Sequence, residues 1–244
     1  MAGTSNSPAE VEKPRGFHPV RRALFTGLAV LGLAVPGITL TGCGGAPPEI
    51  LFADAQLFLV NDRDTGEVHE SLRLFIAVND DDGVEDLSVV FVVHDESELY
   101  WQASAEEWVT LEQDRDSWIG LPDLRPVAGR SFPRGRYRLI LEDRSLQEVE
   151  GSFGVTAPVL DPASVEFPLL RKTGSDFEIS ADGTVVIRVY TRSGKLVLSR
   201  EVSAGLMGPD LVREIPDEGG LTVYLSSPPG QAVRLLSGPF PYER

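Results

Sequence analysis

Leu72, Leu74, Ile76 and Val78 alternate with Arg73, Phe75 and Ala77, and this period of two constrains the chain more than any other feature. Successive side chains of an extended strand point to opposite faces, so one apolar stripe is what a half-buried strand needs. Asn79-Asp80-Asp81-Asp82-Gly83 then supplies residues that tolerate tight turns. Leu87 to Val93 is apolar on both faces and predicts a central, covered strand. Shorter strands are expected at 50–60, 98–103, 107–111, 116–119, 136–141 and 148–155. No amphipathic helix of normal length breaks the series. Many short strands separated by turn residues predict an all-β antiparallel sandwich.

The pattern resumes further on. Val185, Ile187 and Val189 alternate with Val186, Arg188 and Tyr190, and Thr191-Arg192-Ser193-Gly194 turns the chain into 195–202. Strands at 221–225 and 232–236 follow, joined through Ser226-Ser227-Pro228-Pro229-Gly230. Charge divides the two runs. Residues 50–156 hold 23 acidic and 9 basic side chains, and residues 157–244 hold 11 and 9. A step of that size at Thr156-Ala157-Pro158 predicts two tandem β-sandwich modules, 50–156 and a smaller one at 157–238, with a tail at 239–244. With one cysteine in the chain, both must be held by burial without a disulfide.

The N-terminus reads differently. Arg21 and Arg22 precede an uncharged apolar run from Ala23 to Leu40, which ends in small residues. That order is the pattern of a secretory leader. Leu40-Thr41-Gly42-Cys43 resembles a bacterial lipobox. The resemblance implies that residues 1–42 are removed and that Cys43 becomes a diacylglycerol-modified N-terminus. Residues 43–49, with Gly44-Gly45-Ala46-Pro47-Pro48, then form a flexible tether. An uncleaved transmembrane anchor is the alternative, since the run is just long enough to span a bilayer. Arg21-Arg22-Ala23-Leu24-Phe25 is similar to a twin-arginine export signal, although Val20 stands where Ser or Thr is usual. Gly44 lacks the aspartate that holds enterobacterial lipoproteins at the inner membrane, so the resemblance implies the cell envelope with the outer membrane preferred. The mature chain carries 18 basic and 35 acidic residues, which argues against nucleic acid.

Asp80-Asp81-Asp82-Gly83-Val84, the apolar strand after it and Pro133-Arg134-Gly135-Arg136-Tyr137-Arg138-Leu139 together resemble bacterial immunoglobulin-like domains. The resemblance covers most of 50–156 and implies that Tyr137 packs at a corner between sheets, its hydroxyl tied to nearby backbone. Val186 to Val197 is similar to a hairpin of small immunoglobulin-like C-terminal modules on secreted bacterial proteins.

Catalytic signatures are sparse. His69 and His94 belong to no His-Glu-x-x-His helix, and neither a Gly-x-Ser-x-Gly elbow nor a phosphate-cradling Gly-Lys-Thr loop occurs. His94-Asp95-Glu96 reads as solvated loop, because adjacent strand residues point apart. An EF-hand register on Gly83 puts Val78 and Val89 at the end positions and fails. Asp80, Asp82 and Asp86 stay as a candidate interstrand metal set, against a plain acidic turn. Trp101, Trp108 and Trp118, with Tyr100, are candidate glycan platforms, against core tryptophans. Arg125, Arg130, Arg134, Arg136 and Arg138 fall between Asp123 and Glu142 with no acid among them. They form a candidate patch for anions or partners, against pairing with acids on neighbouring strands. The expected protein is a lipid-anchored, non-catalytic binding or scaffolding protein that contacts envelope proteins and needs no cofactor. A glycan-binding surface lipoprotein is the alternative.

Overall fold

The computed structural model describes residues 20–21, 46–113, 116–127, 131–173, 176–217 and 219–243. Among these, strands form two packed sheets, and the chain is an all-β sandwich. In order they are β1 (Val20–Arg21), β2 (Glu49–Asp62), β3 (Val68–Asn79), β4 (Leu87–His94), β5 (Leu99–Ser104), β6 (Val109–Gln113) and β7 (Asp116–Leu124). β8 (Gly135–Asp143), β9 (Glu148–Val155), β10 (Leu169–Thr173), β11 (Asp176–Tyr190) and β12 (Leu196–Leu206) follow. A short helix α1 (Pro209–Glu214), β13 (Leu221–Ser226) and β14 (Val233–Tyr242) complete the chain. One sheet runs β1-β5-β4-β8-β9, and the other runs β10-β11-β13-β14-β2-β3-β7-β6 with β12 on β11.

The alternation works as physics requires. Leu72, Leu74, Ile76 and Val78 are all 2 % exposed or less, facing Leu87, Val90 and Val92 of the opposite sheet in one core. β4, apolar on both faces, is central, with β5 and β8 beside it. Tyr137 is fully buried, and its hydroxyl donates to the Pro133 carbonyl at 2.7 Å. Its ring stacks on Phe153 at 5.0 Å, and Trp101 stacks on Phe132 at 5.3 Å. Gly135 opens β8 at φ +134°, where a Cβ would lie 3.1 Å from His94 Nε2. Only glycine takes that conformation cheaply.

Two features depart from the sequence reading. The two hydrophobic clusters do not divide at residue 157, since Leu160, Val165 and Phe167 pack on the first and Val233 is part of it, and the larger sheet runs on through both. β14 pairs in parallel with β2, Val233 to Gly238 against Leu57 to Asp62, so the second module extends the first module's sheet. The expected tail at 239–244 is also in the sheet as far as Tyr242: β14 continues to that residue, which is 1 % exposed and pairs with Leu221. The apolar side chain and the ladder bonds at Tyr242 keep this segment in the sheet.

Candidate binding face

Leu40, Thr41, Gly42 and Cys43 lie outside the described residues, as do the apolar run before them and Arg130. The other arginines between Asp123 and Glu142 are each engaged. Arg134 is clasped by Glu70, with Nη2 to Oε1 at 2.7 Å and Nη1 to Oε2 at 2.9 Å. It also donates to the carbonyls of Phe132, Ala157 and Pro158. Arg125 pairs with Asp123 at 2.9 Å, and Arg136 donates to Ser152 Oγ. Arg138 bridges Asp95 and Glu150, and the bond to Asp95 holds its guanidinium above the usual range. These side chains are spent on neighbouring strands and loops instead of forming a free cationic patch.

The tryptophans divide. Trp101 is 1 % exposed and donates to the Arg125 carbonyl at 2.6 Å, and Trp108 belongs to the same core. Neither is an exposed platform, because both rings are needed to fill the sandwich. Trp118 is half-buried and meets Phe52 edge-on at 6.2 Å. Asp80, Asp82 and Asp86 do not converge, and among the described residues no group of three His, Cys, Asp or Glu is placed to hold a metal. Asp80 Oδ1 instead accepts from the Asp82 amide at 3.0 Å, and burial pushes the Asp80 carboxyl up. His94 is not solvated loop: it is 2 % exposed, with Nδ1 at 2.8 Å from Ser97 Oγ.

A different constellation emerges on the outer face of the larger sheet. Leu57 and Leu59 enter the core, so Phe58 points the opposite way, yet it is only 2 % exposed. Two guanidinium groups cover it. Arg73 of β3 sits 4.6 Å from the ring centroid and Arg234 of β14 sits 5.1 Å from it. Arg234, itself 7 % exposed, donates to the Ser227 carbonyl and to Ser226 Oγ at 3.0 Å. The same Ser226 Oγ accepts from Arg188 Nη1 of β11 at 3.1 Å. Tyr190 and Tyr224 flank the row, edge to face at 5.7 Å. Among the described residues no carboxylate forms an ion pair with Arg73, Arg188 or Arg234, and Arg73 Nε is buried without a partner. Burial, and then the neighbouring cations, lower Arg234 to about 10 and bring Arg73 down as well.

Sequence reasoning missed this face. Each arginine was visible as a lone charge at an outward position of an apolar strand, but nothing local joins residues 73, 188 and 234.

No family model and no curated protein sequence matches the chain. Solved structures similar to it include Tp47, the 47-kilodalton lipoprotein of Treponema pallidum, at 14 % identity and a TM-score of 0.39. That match covers 81 % of this chain and 52 % of Tp47, so the chain spans about half of that structure. Dimeric latent PorU from Porphyromonas gingivalis is similar at 16 % identity and a TM-score of 0.30, over 79 % of this chain and 20 % of PorU. The BSP domain of a biofilm-associated protein follows at 10 % identity and a TM-score of 0.23, over 70 % and 27 %. Overlap at this level assigns no function.

Proposed function

We propose that the chain is a bacterial lipoprotein, anchored through Cys43, that acts in the cell envelope by binding rather than catalysis. The observation that carries this reading is how closely the first long strand follows the lipobox. Pro48 is buried and β2 begins at Glu49, six residues after Cys43. At about 3.3–3.6 Å per extended residue, the tether holds the sandwich within about 20 Å of its lipid. Leu51 and Phe52, 46 % and 58 % exposed, lie at that end of β2. Two acyl chains on one residue give stable anchoring, where one chain is marginal. Cleavage before Cys43 also removes Val20–Arg21, which pairs with Leu99 and Tyr100, and leaves the β5 edge open to partners. Gly44 favours the outer membrane, and envelope proteins are the expected partners.

The test is labelling with a clickable palmitate analogue. Wild type labels and loses residues 1–42, whereas Cys43→Ser takes no label and keeps its leader. Equal labelling of both would overturn the anchor.

A further inference from the structure

We propose that Arg73, Arg188 and Arg234 form a binding site for a small oxyanion, a phosphoryl or carboxylate group carried by a soluble ligand. The three charges are linked side by side: Arg73 and Arg234 share the Phe58 ring, and Arg234 and Arg188 share Ser226 Oγ. They come from β3, β14 and β11 of one sheet, on the face opposite both cores.

Like charges gathered in a half-buried setting oppose one another, and the usual remedy in a protein is a carboxylate partner. This chain has 37 acidic residues, yet none pairs with these three among the described residues. Asp123, whose charge acts on Arg73, is occupied by Arg125 at 2.9 Å and by Ser71 Oγ at 2.7 Å. Stacking on Phe58 offsets part of the cost. Among the described residues it leaves donors free: Arg73 makes no hydrogen bond, Arg188 uses only Nη1, and Arg234 spends Nε and Nη2 but keeps Nη1. Forks of this geometry match two oxygens of a carboxylate or phosphoryl group, and their binding to an anion is strong where water is partly excluded. Tyr190 of β11, with Tyr224 and Ser226 of the neighbouring β13, adds hydroxyl groups beside the arginines.

The ligand's source follows from position. Phe58 is nine residues along β2 from Glu49, about 30 Å at the rise of a strand. If Glu49 marks the membrane-proximal end, as the proposed anchor requires, the site faces away from headgroups. A free ligand therefore fits better than a lipid.

The experiment is thermal unfolding of the full chain with inorganic phosphate, malonate or chloride at equal ionic strength. Binding to the native state alone raises the melting temperature by about 5–10 °C once ligand reaches a hundred times its Kd. Phosphate or malonate should give that saturable rise, chloride should not, and Arg188→Gln and Arg73→Gln should abolish it. Arg188→Gln leaves both cations over Phe58 in place, so its loss of response does not depend on a folding defect. A structural role alone predicts that Arg73→Gln lowers the melting temperature without ligand. A site whose charges repel predicts no loss, or a gain. No saturable response above chloride, or one that survives both substitutions, overturns the proposal. Phosphatidylglycerol vesicles with the mature chain from residue 44, which carries neither lipid nor leader, separate the sources. Vesicle binding that falls with Arg188→Gln, with no response to soluble anions, would overturn the free-ligand assignment while leaving the anchor untouched.

Discussion

Arg134 and Glu70 clasp each other across the sandwich, guanidinium fork against carboxylate, from the loop before β8 to the start of β3. Glu70 is 5 % exposed and also accepts the Phe132 amide at 2.7 Å. The remaining Arg134 donors hold the carbonyls of Ala157 and Pro158, so one side chain ties both sheets to the start of the second module.

Arg134→Ala should therefore be severe. It leaves Glu70 charged and buried, and breaking a buried pair in this way costs about 3–5 kcal/mol. Urea unfolding of the purified variant measures it, and a loss below about 1 kcal/mol would contradict the clasp.

The Tyr137 corner separates ring from hydroxyl. Tyr137→Phe leaves the Pro133 carbonyl without its donor and should cost about 1–3 kcal/mol. Tyr137→Ala should cost about 3–5 kcal/mol, as other large core truncations do. Arg136 is exposed and makes one bond to Ser152, so Arg136→Ala should change stability by less than about 0.5 kcal/mol. Urea midpoints ranking Arg136→Ala worst would place β8 in the opposite register.

The module boundary lies later than the charge step. Leu160, Val165 and Phe167 pack against the first core, and Arg134 reaches residues 157 and 158. A fragment 46–168 should melt cooperatively and at a higher temperature than 46–156. Equal melting temperatures would restore the boundary at 157.

Much of this architecture was legible because it is written locally. The stripe Leu72 to Val78, the acidic turn after it and the Pro133 to Tyr137 run each declare themselves within a few residues. β10 was missed because Leu169 to Thr173 is short and ends in exposed charge, and the first half of β11 because Glu178 and Asp182 interrupt its pattern. α1 spans only six residues, too few to show a helical period. The parallel pairing of β14 with β2 joins segments over 170 residues apart and leaves no local trace. The arginine face was hidden for the same reason, since it exists only once that pairing is made.

His69 sets a pH dependence. Both ring nitrogens are buried without a partner, and burial, with help from Arg125, lowers the imidazole below its usual range. The unfolded chain then binds a proton that the native state refuses, so this residue's contribution is constant above about pH 6.5 and falls as pH drops below it. Urea midpoints should decline between about pH 7 and pH 5, and His69→Asn should flatten that slope. An unchanged slope in the variant would assign the decline to other groups.

The most direct test of the central claim is the mass of the mature N-terminus, read from the protein purified out of membranes in detergent. Lipid anchoring predicts that residues 1–42 are absent and that Cys43 carries the mass of a diacylglycerol group. A chain that retains residues 1–42, or begins elsewhere with an unmodified Cys43, would contradict it.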